Sequence, residues 1–260
     1  MFEHELRAMQ KAARDAENNI KEVYATSFAV EIKSDDSPVT AADKGADALI
    51  REELHQSFPS YAFLTEESAD TPDRLSNDWV FIVDPLDGTK EFVARNGEFT
   101  TNIALAYQHE IVVGVINVPL KDILYFAIKG QGAYKLENGK KPMRISVSKR
   151  SGDHLRVLTS RSFFTDREKA LIDKNKSHFE SVTAMGAALK FCAIAEGGAE
   201  LSYRMGGGTK EWDVAAGDLI LSEAGGVMLK PDGTHYAYNR ADVYNREGYI
   251  LANDKKNVLL

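Results

Sequence analysis

The chain has 260 residues, 43% hydrophobic and 27% charged, with a formal net charge of −7. That length holds one large domain or two intimate smaller ones with an ample core, and a negative balance without a basic block excludes a nucleic-acid polymer from the expected partners. A single cysteine, Cys192, rules out an intrachain disulfide; it sits in an apolar helix-like run, the setting of a buried structural thiol rather than a nucleophile.

The first residues lack the charged-then-apolar pattern of a secretory signal, and no stretch reaches the roughly 18 apolar residues of a membrane span. A cytoplasmic protein without a membrane partner is the expectation. Six scattered histidines and one cysteine do not build a zinc site. Neither a Gly-x-x-x-x-Gly-Lys-Ser/Thr loop nor a Gly-x-Ser-x-Gly elbow is present. Carboxylate chemistry is what remains.

Residues 2–24 carry Leu6, Met9, Ala13, Ala16, Ile20 and Val23 at three- and four-residue steps, the spacing of an amphipathic helix. A polar break, 34–38, precedes Thr40 and Asp43, and a second helix buries Ala46, Leu49, Ile50, Leu54 and Phe58 before Pro59 stops it. A short strand, 61–64, runs into Thr65-Glu66-Glu67-Ser68, and 70–78 reads as a polar loop. Strands follow at 79–83, 100–107, 111–118 and 123–128, with hairpin turns at 108–110 and Asn138-Gly139. The polar run 146–153 is the best internal boundary, dividing an N-terminal α+β half (1–150) from a C-terminal α/β half (151–260). Beyond it strands at 156–159, 179–183, 199–203, 227–229 and 249–252 alternate with helices at 166–173, 187–195 and 212–224, an α/β rhythm.

The organising stretch is Trp79-Val80-Phe81-Ile82-Val83-Asp84-Pro85-Leu86-Asp87-Gly88-Thr89. An apolar strand stops at an acid, and the next residues bend the chain and add a second acid, a glycine and a hydroxyl. Two carboxylates so placed suit hard, oxygen-seeking cations. The short helix expected to follow points its first N–H groups at an anion such as phosphate. Asp-Pro and Asp-Gly are also plain turn signatures. Likewise, Thr40 with Asp43 is by spacing a helix-capping pair, Asp213 a helix N-terminal acid, and Lys190 a solvated helix face.

The complete string Asp84-Pro-Leu-Asp-Gly-Thr-Lys-Glu-Phe92 resembles the signature of the inositol monophosphatase superfamily, its Lys-Glu-Phe ending that of the 3'(2'),5'-bisphosphate nucleotidase (CysQ-type) branch. Four further segments resemble that family in order: Val39-Thr-Ala-Ala-Asp43, Thr65-Glu-Glu-Ser68, Leu189-Lys-Phe-Cys192 and Trp212-Asp-Val-Ala-Ala-Gly217. The resemblance implies a layered α/β/α/β/α sandwich of the inositol monophosphatase and sugar phosphatase type. It also implies a phosphomonoesterase that uses two or three Mg²⁺ ions and takes a small phosphate ester, foremost 3'-phosphoadenosine 5'-phosphate, cleaved to AMP and phosphate. In it Glu66, Asp84 and the Leu86 carbonyl hold one ion and Asp84, Asp87 and Asp213 a second. Asp43 and Thr89 are catalytic, orienting and deprotonating water. Asp87, Gly88, Thr89, Lys190 and Arg204 meet the substrate, and Glu67 is left as a supporting or surface group. A homodimer is a family expectation.

Three departures fall on the specificity side. Ala187 and Ala188 stand where the branch has serines, Phe163 follows Ser160-Arg161-Ser162 where it has histidine, and the glycine run 206–208 makes the loop after Arg204 one residue longer. Hydrolysis of an inositol or sugar phosphate on the same metal site, or a non-catalytic nucleotide sensor, are the alternatives.

Overall fold

The computed structural model describes residues 2–33 and 38–260; most of the polar break, residues 34–37, lies outside the described residues. Helix α1 (Glu3–Tyr24) buries Leu6, Met9, Ala13, Ala16 and Ile20, the stripe that the spacing predicts. It packs along α2 (Ala41–Ser57), which buries Ala42, Ala46, Ile50 and Leu54 while Leu49 stays half-buried. Between the helices, β1 (Glu31–Ile32) and β2 (Pro38–Val39) form a small antiparallel ribbon.

A seven-stranded sheet follows in spatial order β3 (Ala62–Thr65), β4 (Trp79–Asp87), β5 (Thr100–Tyr107), β6 (Glu110–Val118), β7 (Ile123–Ile128), β8 (Ala133–Glu137) and β9 (Met143–Ile145), with the short helix α3 (Thr89–Val93) between β4 and β5. Only β3 and β4 pair in parallel. Gln108 and His109 both take positive φ, 47° and 68°, the twist that lets a two-residue turn join β5 to β6. The chain then alternates through β10 (Leu155–Ser160), α4 (Asp166–Asn175), β11 (Phe179–Met185), α5 (Leu189–Ala195), β12 (Leu201–Arg204), α6 (Glu211–Glu223), β13 (Val227–Leu229) and β14 (Tyr249–Ala252). Its strands make a five-stranded sheet, β11-β10-β12-β14-β13.

Side-chain alternation along β4 separates the layers. Phe81 and Val83 join α1 and α2 in one apolar cluster. Val80 and Ile82 face the other way, into a cluster that holds α5, α6 and one face of the five-stranded sheet. The opposite face of that sheet, with Val157, Leu201 and Tyr203, is covered by Ile172 of α4. The order of layers is therefore α/β/α/β/α. The two sheets divide at the polar run 146–153, and since one apolar cluster joins them through α6, we infer that 1–150 and 151–260 are halves of a single packed body.

Helix α6 lies against β6 at unusual proximity. A Cβ placed on Gly114 would stand 2.8 Å from the Ala216 carbonyl oxygen, and one on Gly217 would enter the Phe191 ring. Ala215, Ala216 and Gly217 are the small residues that permit this approach. Gly114→Ala must push α6 outward. A loss of about 1–3 kcal/mol, the usual cost of overpacking, is expected as a lower urea midpoint, and an unchanged midpoint would show that the contact relaxes freely.

Candidate active site

Residues three apart on a regular strand face opposite sides, so Asp84 and Asp87 need a local irregularity to converge. Asp84 pairs with Asn102 and Asp87 with Thr100. Three steps on β4 thus match two on β5, and the extra residue is a β-bulge that turns both acids to one face. The sequence reading ends this strand at Val83; β5 instead keeps pairing across the bulge, and the strand runs on to Asp87. Pro85 loses no ladder bond there. Its carbonyl accepts from Thr101 Oγ1 at 2.9 Å, Asn102 Nδ2 donates to Asp87 Oδ2 at 3.1 Å, and Thr100 Oγ1 steadies Asn102 Oδ1 at 2.9 Å. These three residues were not among the sequence candidates. Their signal was a Thr-Thr-Asn triplet heading an apolar strand.

From the opposite half, the first turn of α6 delivers Asp213, whose Oδ2 accepts from its own helix start at Lys210 N, 2.5 Å away. Oxygens of Asp84, Asp87 and Asp213 all lie within 4.8 Å of one another. Asp84 Oδ1 accepts from Leu86 N at 3.1 Å, whereas the buried Asp84 Oδ2 has no partner among the described residues. Burial first, then the charges of Glu66, Asp87 and Asp213, hold the Asp84 carboxyl well above the usual range. Burial pushes Asp87 up to about 6 against the pull of Lys190 and Asn102, and Asp213 up to about 8, with Asp87 and Glu66 adding to it. Clustered, desolvated carboxylates with an orphaned oxygen fit a hard divalent cation, which inverts their mutual repulsion.

Asp43 lies in the first turn of α2 and completes a capping box with the N-cap Thr40. Its Oδ2 accepts from Thr40 N at 2.7 Å and Thr40 Oγ1 at 2.6 Å, leaving Oδ1 for Thr89 Oγ1 at 2.9 Å. Thr89 Oγ1 also lies 3.2 Å from the Leu86 carbonyl. The capping role suggested by spacing and the link to Thr89 coexist, one on each carboxylate oxygen. Burial raises the Asp43 carboxyl, opposed by the hydrogen bonds of Thr40 and Thr89.

Glu66 lines the same cleft but stands outside the three-acid cluster, and Lys33 Nζ reaches its Oε1 at 3.2 Å. The same ammonium bonds Glu67 Oε1 at 2.5 Å. The Glu67 side chain is the more enclosed of the two, 7% exposed against 20% for Glu66; it supports the loop from behind rather than facing solvent.

Across a cleft of about 390 Å³ lie Gly88, Lys190, Arg204 and Phe163. Lys190 is buried, not solvated: Nζ donates to the Ala187 carbonyl at 2.7 Å and the Met185 carbonyl at 3.3 Å. Burial lowers its pKa, with Arg204 adding and Asp87 opposing. Arg204 Nη1 donates to the Phe163 carbonyl at 2.8 Å. The half-exposed Phe163 ring lies between Lys90 Nζ, 4.1 Å from its centroid, and Arg204 Cζ, 5.6 Å away.

The sequence pattern that describes the inositol monophosphatase family matches residues 3–259. The chain belongs to the inositol monophosphatase family. It is 38% identical over 242 residues to the 3'(2'),5'-bisphosphate nucleotidase CysQ of Salmonella typhimurium, covering 91% of this chain and 95% of that one. The crystal structure of CysQ from Bacteroides thetaiotaomicron superposes with a TM-score of 0.83 at 35% identity, over 98% and 99% of the two chains. The suhB protein of Bartonella henselae matches at 0.81 and 29% identity, over 95% and 93%. Membership of the inositol monophosphatase family implies divalent-metal chemistry, and the carboxylate cluster such chemistry needs is present.

Between the ordinary carboxylate value of 3.8 and about 8, an unfolded chain has released the Asp213 proton while the folded one still binds it. Rising pH then favours unfolding, so the metal-free protein loses stability across that window. Thermal unfolding in chelator should show a midpoint falling from about pH 5 to pH 8, less steeply for Asp213→Asn and with added Mg²⁺. Parallel slopes for wild type and Asp213→Asn would remove Asp213 from the account.

Proposed function

We propose that this protein is a Mg²⁺-dependent 3'(2'),5'-bisphosphate nucleotidase that hydrolyses 3'-phosphoadenosine 5'-phosphate to AMP and phosphate. The observation that carries it is the convergence of Asp84, Asp87 and Asp213, with the unpartnered Asp84 Oδ2, on a cleft that also presents Thr89 and Lys190. Asp84, Asp87 and Asp213 would hold one Mg²⁺, and Glu66, Asp84 and the Leu86 carbonyl another, with a third, looser ion near Glu66. When bound, such ions acidify water and neutralise ester oxygens.

The chain's own groups do the rest. Thr89 Oγ1, with its proton shared between Asp43 Oδ1 and the Leu86 carbonyl, presents its lone pairs to the cleft and orients the attacking water. As that water loses its proton to Thr89 Oγ1, the Thr89 proton passes to Asp43 Oδ1. A buried carboxyl raised above the ordinary range is a stronger base than a free aspartate. The N–H groups of Gly88 and Thr89 would face the equatorial phosphoryl oxygens. Lys190 has three N–H donors, two of them engaged by the carbonyls of Met185 and Ala187; the third, with Arg204, would meet the second phosphate.

A second reading keeps the hydrolytic side and changes the substrate to an inositol or sugar monophosphate. The half-exposed Phe163 ring at the cleft and the methyl groups of Ala187 and Ala188 favour it by removing polar donors. A nucleotide sensor without activity is disfavoured because Asp43, Glu66, Asp84, Asp87, Thr89 and Asp213 are all retained. The reading includes a cytoplasmic homodimer; among the described residues no helix is long and apolar enough to cross a membrane.

Phosphate release in Mg²⁺ from 3'-phosphoadenosine 5'-phosphate and inositol 1-phosphate at equal concentration tests the assignment. Preference for the bisphosphate is expected. Preference for inositol phosphate would establish the second reading, and silence on both with Mg²⁺ still binding would leave the sensor. Removing the base and removing a ligand should differ. Asp43→Asn is expected to cut turnover about 10²–10⁴-fold, the range of general-base loss, with its Mg²⁺ titration nearly unchanged. Asp84→Asn should shift that titration and abolish activity. Matching titrations for the two variants would sink the division of roles.

A further inference from the structure

Lys190 reaches the cleft next to a turn that is held in a costly shape. Ala187 has φ of 50°, a left-handed conformation that a residue with a Cβ adopts only when its surroundings impose it. The Ala187 carbonyl is the nearer acceptor of the Lys190 ammonium, at 2.7 Å, so whatever fixes this turn also fixes Lys190.

That restraint comes from the other half of the molecule. Glu98, in the segment between α3 and β5, accepts from Gly186 N at 2.7 Å through Oε2. The same carboxylate takes a two-pronged ion pair from Arg161, Nε to Oε2 at 2.5 Å and Nη2 to Oε1 at 2.7 Å. Arg161 Nη2 also donates to the Ala184 carbonyl at 2.9 Å, gripping the end of β11. The Glu98 carbonyl oxygen is pressed against two glycines of the cleft: a Cβ would come within 2.8 Å of it from Gly186 and 3.0 Å from Gly88. Ala187 Cβ closes the triangle, 3.2 Å from a Cβ on Gly88. One residue thus touches the loop at which the phosphoryl group is cleaved and the turn that carries Lys190.

We propose that Glu98, paired with Arg161, is a positioning residue for substrate specificity: it sets the distance from the Lys190 ammonium to the Gly88–Thr89 loop, and so the spacing of two phosphates that the cleft accepts. Neither side chain meets the reacting atoms. The inference rests on the reading that Lys190 receives a second phosphate. It assigns the clasp to binding of the two-phosphate ester rather than to the hydrolytic step.

The test compares 3'-phosphoadenosine 5'-phosphate with adenosine 3'-monophosphate, which lacks the distal phosphate, for wild type, Glu98→Ala, Glu98→Gln and Arg161→Ala. Misplacing a binding group by about an ångström costs up to about a hundredfold, so Glu98→Ala should raise KM for the bisphosphate at least about tenfold. Its kcat, and both constants for the monophosphate, should stay within about twofold, the signature of a lost binding interaction. Glu98→Gln, which keeps an acceptor for Gly186 N, should recover much of the KM. Arg161→Ala should raise KM in the same direction, and adding it to Glu98→Ala should change little, since the two act as one unit.

Equal losses on both substrates, a fall in kcat at unchanged KM, or wild-type constants in Glu98→Ala would overturn the proposal. Should Glu98→Ala not fold, Glu98→Gln and Arg161→Ala carry the same comparison. A wild type that does not prefer the bisphosphate refutes the nucleotidase reading instead. Amide hydrogen exchange at Gly186 and Ala187 then judges the clasp: faster exchange confined there in Glu98→Ala supports it, and unchanged protection overturns it.

Discussion

Three carboxylates whose oxygens lie within 4.8 Å of one another are what this fold has to hold together. Unassisted, they repel, and burial of Asp84 makes the charged state harder still. The protein resolves this by supplying each acid with a separate anchor. A bulge and Leu86 N fix Asp84, Asn102 fixes Asp87, and the start of α6 fixes Asp213. Because Asp213 comes from a different layer, the three acids converge only where α6 packs against the seven-stranded sheet. The close approach of Gly114 to Ala216 is what brings that layer near enough.

The same economy governs Asp43. One carboxylate oxygen satisfies the exposed N–H and hydroxyl at the head of α2, and the other receives Thr89. Held at both oxygens, the Asp43 carboxylate is fixed against the Thr89 hydroxyl. This preorganisation costs the helix nothing, since the cap is needed in any case.

Much of the architecture was legible because it rests on local periodicity. The stripe of α1, the ends of β5 and β7, and the short strands β13 and β14 follow from spacing and turn residues alone. What escaped depends on partners distant in sequence. The bulge that carries β4 to Asp87 is dictated by β5. Arg74, in a stretch that reads as polar loop, is buried because Asp70, Asn239 Oδ1 and the Arg240 carbonyl surround its guanidinium. Lys190 on a short helix reads as solvated surface until the turn at Ala187 folds over it. Asp84, Asp87 and Asp213 were singled out as candidate ligands through a family string rather than through spacing, since a strand ending in two acids and a glycine is also an ordinary turn. For the same reason the specificity side was the least legible: Phe163, Lys190 and Arg204 lie on separate elements that only the tertiary fold brings together, and Glu98 reaches the turn before Lys190 from the other half.

The cleft combines two kinds of constraint. Each of the three clustered acids is pinned by its own element, so substitution there disturbs the cluster directly. On the other side Lys190 stands in the first turn of α5, Arg204 ends β12 and Phe163 lies in the turn after β10, and the Glu98–Arg161 pair grips the turn at Gly186 that precedes Lys190. Turns tolerate change in a way that a bulged, paired strand does not. The replacements at Phe163, Ala187 and Ala188 and the extra glycine near Gly207 all fall on these turns or beside them. A chain built this way can retune which phosphate ester it accepts while leaving Asp84, Asp87 and Asp213 where they are, because among the described residues none of the hydrogen bonds that anchor the three acids involves Phe163, Ala187 or Ala188.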